Sequence, residues 1–290
     1  MASKPSPTAW RCGRFLFEFT DQVGQVVRPL VMGILNTTPD SFSDGGKYAS
    51  RDAALHHAEE MIANGVDIID IGGESTRPGA TPISASEEID RVLPVIETLV
   101  DCGVALSIDT YKAETMKVAL DMGVDCVNDI WALRQKNTLP IIKKSNCGVV
   151  LMHMQGDPKT MQIKPDYHDV LTEVDVFLQD RCIALESVGI TRERIAIDPG
   201  FGFGKSLENN LMMLAHFHRF VESGYPVLAG ISRKSMIGKI TGRESHERLA
   251  GSIAAAVMAA EQGALLIRTH DVSETSDALK VWQATKALAL

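Results

Sequence analysis

Eight short apolar runs in this 290-residue chain each end in a side chain able to do chemistry: Asn36, Asp70, Asp109, Asn128, His153, Asp198, Arg233 with Lys234, and Arg268 with His270. Any one of them alone reads equally well as a helix cap or a satisfied core group. Eight in register argue for convergence on one site, because parallel strands with crossover helices bring their C-terminal ends to one face. Two carboxylates, Asp109 and Asp198, with the amide of Asn128 between them suit the donor-rich edge of a flat heterocycle. Ionised oxygens accept hydrogen bonds there, and an amide offers both a donor and an acceptor. Lys234 and Arg268 add donors for a ring carbonyl or nitrogen.

A second chemistry sits at the last two runs. Ser232, Arg233, Lys234 and Ser235 follow one, and Arg268, Thr269 and His270 follow the other. Cations with hydroxyls at this corner of a barrel predict an anion, most often a phosphate. The segment 199–206, PGFGFGKS, is not a nucleotide loop: Pro199 occupies the first glycine of the Walker pattern, and Lys205 the last glycine of G-x-G-x-x-G. It reads as a glycine-rich loop with Phe203 and Lys205 facing the pocket. Paired carboxylates at a barrel mouth also serve glycoside hydrolysis, but that leaves the glycines and cations unexplained. Metal ligation by His153 and His270 lacks an H-x-H or H-E-x-x-H spacing.

Elements able to position these residues follow from the apolar pattern. Strands are expected at 30–35, 67–71, 104–108, around 126–127, and at 149–152, 195–197, 227–229 and 265–267. Helices are expected at 51–64, 86–101, 112–122, 138–145, 170–187, 208–221, 244–262 and 274–288. Glycines 65, 103, 123, 189, 224 and 263 stop six of them, with Ser86 and Ser273 near helix starts. Strict alternation of eight strands and eight helices predicts an α/β fold, a single-domain (β/α)8 TIM barrel. An open doubly wound sheet is disfavoured by the count and lacks a switch-point fingerprint. An N-terminal β-hairpin, 14–19 against Val26 and Val27 across the turn at Gly24, is expected to plug one end. Residues 1–12 then form an extension and 13–290 the barrel domain.

Composition narrows the partners. A net charge of -8 gives no global attraction to nucleic acid or to an anionic membrane. Five scattered cysteines without a C-x-x-C pair argue against a disulfide framework or zinc ribbon. With no long apolar run and no signal-like start, a cytoplasmic protein is expected.

From 29 to 270 the motifs resemble the dihydropteroate synthases of folate biosynthesis. Residues 33–46 (GILNTTPDSFSDGG) and 70–79 (DIGGESTRPG) resemble that family's first and second loops; 107–110 (SIDT), 127–129 (VND), 198–205, 232–235 and 268–270 follow in the family's order. By that resemblance Asp109, Asn128, Asp198 and Lys234 would hold a pterin ring, with Ile130 and Met152 lining its slot. Asn36, Arg268 and His270 would meet a diphosphate, while Phe42, Thr76, Arg77, Pro78, Phe203 and Ser235 would shape an aminobenzoate side. Asp109, Lys234, Asp40 and Asp44 would form the catalytic set, and Asn36 with Asp44 would hold Mg2+.

The implied reaction condenses 6-hydroxymethyl-7,8-dihydropterin diphosphate with 4-aminobenzoate by substitution at the pterin methylene, with sulfonamides as inhibitors. The resemblance also implies a homodimer, for which the small residues 251–260 offer a close-packing face, though core packing explains the same alanines. A pterin-dependent methyltransferase and a catalytically silent pterin-binding paralogue are the rivals.

Overall fold

The computed structural model describes residues 6–19, 27–37, 46–75, 81–156, 161 and 165–288. Its centre is a parallel eight-stranded sheet in the order β8-β7-β6-β5-β4-β3-β10-β9. The strands are β3 (Leu30–Asn36), β4 (Ile68–Gly72), β5 (Ala105–Asp109), β6 (Cys126–Asp129), β7 (Gly148–Met152), β8 (Ile195–Asp198), β9 (Leu228–Ala229) and β10 (Leu266–Thr269). An Ile197–Val227 bridge joins the two ends and closes the barrel. The helices are α1 (Gly46–Ala63), α2 (Ala85–Leu99), α3 (Ala113–Asp121), α4 (Thr138–Lys144), α5 (Val170–Ser187), α6 (Leu207–Ala215), α7 (His218–Val221), α8 (Ser235–Thr241), α9 (Leu249–Glu261) and α10 (Val272–Lys286).

The expected barrel is therefore present, with local differences. The stretch 208–221 is two helices that break at His216 and Phe217, and the short α8 was not expected. Ser84, two residues before the expected start, caps α2 through a full capping box with Glu87.

Strand parity separates the barrel's contents. Side chains of one parity, such as Val31, Ile69, Leu106, Val127, Val149 and Ile197, pack outward under the helices. Those of the other parity point to the axis, as a two-residue period requires. Ile68, Ala105, Cys126, Val150, Ala196, Leu228 and Leu266 make an apolar floor with Leu30 and Met32. Two residues further along the same strands stand Asp70, Ser107, Asn128, Met152, Asp198, Gly230 and Arg268. The axis thus changes from apolar to polar within one layer, and that change sets the depth of the site.

The floor is closed from below by an antiparallel hairpin of β1 (Ala9–Cys12) and β2 (Phe15–Glu18). Its strands correct the expected pairing: 14–19 is the second arm, and its partner lies in the segment assigned to an extension. Val26 lies outside the described residues; Val27 donates only a long 3.4 Å bond to the Phe19 carbonyl. Fully buried Trp10 and Cys12 join the floor cluster, and Trp10 Nε1 donates to the Arg194 carbonyl at 3.1 Å. The turn residue Gly13 has φ +58, and a Cβ there would meet Asp125 Cα at 2.7 Å. Asp125 in turn accepts from the Arg14 guanidinium at 2.9 Å and from Leu106 N at 3.1 Å, which ties the plug to β5.

Candidate active site

At the C-terminal ends of the strands a pocket open to solvent is lined by Asp109, Asn128 and Asp198 together with Lys234 and Arg268. Ile130, Met152 and Phe203 give it apolar walls, and Gly230 leaves it room. Every lining residue on a strand has axis-facing parity, so the apolar runs that end at these residues already aim them inward. Eight of the expected site residues are brought together here.

Arg268 organises the pocket's electrostatics. Its Nε donates to Asp70 Oδ2 at 2.6 Å and its Nη2 to Asp109 Oδ2 at 2.7 Å. Burial works against this charge, but the two carboxylates prevail and raise its pKa. Burial drives Asp109 up to about 7; Arg268 opposes the shift, while Asp70, Glu88 and Asp129 add to it. Asp198 is also raised by burial, against the hydrogen bond from Gly200 N at 2.7 Å and the nearby Lys234 and Lys205. Burial lowers Lys234 to about 8, partly countered by Asp198. Its ammonium lies 4.0 Å from the Phe203 ring centroid, a cation–π contact that places a donor beside an aromatic wall.

The corner where the sequence predicts an anion lies at the ends of β9 and β10. Ser232 Oγ lies 3.0 Å from His270 Nδ1 and accepts from His270 N at 3.1 Å. Arg233, which shares this corner in the sequence, turns aside: its guanidinium is bound by Asp271, and its φ of +55 is held by a bond from its N–H to Ser252 Oγ at 2.9 Å. Ser235 is the exposed first residue of α8. Asn36 ends β3 at the same mouth: a Cβ on neighbouring Gly72 would lie 3.7 Å from both Asn36 Oδ1 and Asp109 Cβ. Asp40, Phe42, Asp44, Thr76, Arg77 and Pro78 lie outside the described residues.

Two expectations need correction. Lys205 does not face the pocket. It is buried, and its Nζ lies 2.9 Å from the Gly200 carbonyl, 3.0 Å from that of Phe203 and 3.0 Å from His153 Nδ1. It binds the backbone of the glycine-rich loop, while Phe203 of that loop lines the pocket. His153 is buried and lowered to about 2, by burial first and then by Lys205 and Arg134. A neutral imidazole that accepts from Lys205 is a structural partner. Sequence reasoning also passed over Gly230, whose axis-facing position leaves 3.8 Å between a would-be Cβ and Asp198 Oδ2. Its signal was a glycine two residues beyond Leu228 of the floor.

A family model described as pterin binding enzyme matches residues 32–270, and the chain belongs to that family. The dihydropteroate synthase of Haemophilus influenzae is 49% identical to it over 260 residues, covering 89% of this chain and 94% of that protein. Burkholderia cenocepacia dihydropteroate synthase, solved with 7,8-dihydropteroate, superposes with a TM-score of 0.88 at 47% identity over 99% of each chain. Xanthomonas albilineans dihydropteroate synthase, solved with 4-aminobenzoic acid, gives 0.89 at 48% identity over 97% of this chain and 99% of that one.

Proposed function

We infer that this chain condenses 6-hydroxymethyl-7,8-dihydropterin diphosphate with 4-aminobenzoate to give 7,8-dihydropteroate and diphosphate. The observation that carries the reading is one pocket lined by Asp109, Asn128, Asp198, Lys234 and Arg268. The carboxylates and amide accept the ring's amino and N–H protons, Lys234 donates to its carbonyl side, and Ile130 and Met152 pack on its faces. Arg268, His270 and Asn36 receive the diphosphate. Phe203 and Ser235 border the aminobenzoate, together with Phe42, Thr76, Arg77 and Pro78.

In the reaction the C–O bond at the pterin methylene breaks with its electron pair leaving on diphosphate, a C–N bond forms to the amine, and the amine loses a proton. Positive charge grows on the pterin beside Asp109 and negative charge on the leaving group beside Arg268, the arrangement that preorganised electrostatics require. Asp40 and Asp44 complete the catalytic set from the first loop. Mg2+ would take oxygen donors here, and the side chain of Asn36 offers one at the C-terminal end of β3. Magnesium is commonly held by one or two protein oxygens, substrate phosphates and water, a role for Asn36 and Asp44. When bound it would neutralise charge on the diphosphate.

Sulfonamides, as aminobenzoate mimics, compete at the same side. No helix among the described residues is long and apolar enough to cross a membrane, which accords with a cytoplasmic enzyme. A homodimer is supported by the outer faces of α9 and α10, where Met258 is 49% and Val281 67% exposed, while Ala255 and Ala256 are used in the core.

The test measures diphosphate release with and without 4-aminobenzoate and Mg2+, and identifies the pteroate formed. Amine-dependent release with stoichiometric dihydropteroate is expected; methyl transfer to cobalamin, or tight pterin binding without turnover, would replace this reading.

A further inference from the structure

Asp70 lies outside the pocket lining, yet it is joined to two residues that form it. It stands on β4 one axis-facing step above Ile68 of the floor and is fully buried, in register with Ser107 of β5. Its Oδ2 accepts from Asn128 Nδ2 at 3.0 Å and from Arg268 Nε at 2.6 Å. Its Oδ1 has no hydrogen-bond partner among the described residues. All of the carboxylate's hydrogen bonds there go to pocket residues.

Stability alone does not account for such a group. A buried ion pair is often no better than well-packed apolar side chains of the same volume, and the layer just below is filled by Ile68, Ala105 and Val150. What an apolar residue would not supply is orientation. A primary amide can present either its oxygen or its nitrogen; with Nδ2 committed to Asp70, the Oδ1 of Asn128 keeps one direction. A guanidinium has five N–H donors in a rigid fork. With Nε on Asp70 and Nη2 on Asp109, the plane of Arg268 is fixed and its remaining donors are directed by that plane.

We propose that Asp70 is a positioning residue that sets, from one buried oxygen, both the amide of Asn128 for the pterin ring and the guanidinium of Arg268 for the diphosphate. The two ends of the substrate are then coupled beneath the pocket, without Asp70 touching either. This inference rests on the dihydropteroate synthase reading of the same pocket.

The experiment compares wild type with Asp70→Asn, which keeps the shape and removes the charge. Measured are thermal stability, steady-state kinetics in both substrates, and binding of two half-ligands, 6-hydroxymethylpterin and inorganic diphosphate. The expected result is a folded variant with kcat/KM for the pterin diphosphate down by about tenfold or more, both half-ligands weakened, and KM for aminobenzoate within about twofold of wild type. In an Arg268→Ala background, Asp70→Asn should cost little further diphosphate affinity, since the two act through one contact.

Unchanged half-ligand binding in folded Asp70→Asn overturns the proposal, as does full additivity with Arg268→Ala. If Asp70→Asn does not fold, Arg268→Lys serves instead. It keeps the charge but cannot donate from two nitrogens to Asp70 and Asp109, and should weaken pterin as well as diphosphate; unaltered pterin affinity overturns the coupling. Wild type that makes no dihydropteroate refutes the function itself, and the half-ligand measurements still decide the role of Asp70.

Discussion

Asp109→Asn is expected to make the protein more stable at alkaline pH while nearly abolishing turnover. The folded protein raises this carboxyl from 3.8 to about 7. A gap of about three units corresponds to about 4 kcal/mol at ~1.36 kcal/mol per unit. The sign follows from which state holds the proton. The fold favours the protonated acid, so its contribution is fully favourable below the unfolded pKa and is lost as pH rises through the folded value. At pH 8 the ionised side chain therefore carries the whole penalty, and at pH 4.5 only about 1 kcal/mol of it.

Asparagine imitates the protonated acid and does not titrate. The variant should gain up to about 4 kcal/mol at pH 8, less whatever its amide loses beside the Arg268 guanidinium, and on the order of 1 kcal/mol at pH 4.5. Urea unfolding of both proteins at the two pH values reads the difference as a larger shift of midpoint at pH 8. Turnover should fall by about a hundredfold or more, because the charge facing the developing pterin cation is gone. Equal stabilisation at both pH values, or destabilisation at pH 8, would refute the account of Asp109 as an ionised group held at a cost.

Arg268→Ala should raise KM for the pterin diphosphate by more than it lowers kcat, and should abolish competition by inorganic diphosphate. Because Arg268 opposes the upward shift of Asp109, the acidic limb of the residual pH–kcat/KM profile should move to higher pH. A profile and KM like those of wild type would remove Arg268 from the assigned role. Gly200→Ala tests the loop: φ is +73 and a Cβ would sit 2.0 Å from the His153 carbonyl. A loss on the order of 3 kcal/mol in unfolding free energy is expected. A melting temperature equal to that of wild type would show that the loop relaxes freely.

The barrel was legible because each element carried its own signal. Short β-branched runs recur at regular intervals, longer amphipathic stretches lie between them, and glycine follows most helices. The site was legible for a related reason: a polar residue two positions beyond an apolar one on a strand shares its face. What failed was whatever depends on how a loop folds back on itself or on a partner distant in sequence. Lys205 reads as a pocket cation until the carbonyls of Gly200 and Phe203 and the ring of His153 are seen to surround it. Arg233 reads as an anion ligand until Asp271 claims it. The hairpin's first strand was within reach, since Trp10 and Cys12 alternate with polar neighbours ahead of the two-residue turn at Gly13 and Arg14. Helix α8 has only seven residues and buries just Met236 and Ile237, too short a period to stand out.

The polar layer above the floor explains why this barrel needs its plug. Asp70, Asp109 and Asp198 bring three carboxylates to the axis, answered by Arg268 and Lys234, and for Asp109, Asp198 and Lys234 burial costs more than the pairing returns. Hydrophobic burial elsewhere must offset that cost. The floor does so locally: Trp10, Cys12 and Phe19 are taken from water against Ile68, Val150 and Leu266, and a large apolar side chain so buried contributes about 1.5–3 kcal/mol. Above that floor Asp70 and Ser107 are fully buried, and a low-dielectric surrounding strengthens the field around the guanidinium. Sealing the end remote from chemistry and charging the end that performs it are thus two parts of one arrangement, carried by alternate residues along the same strands.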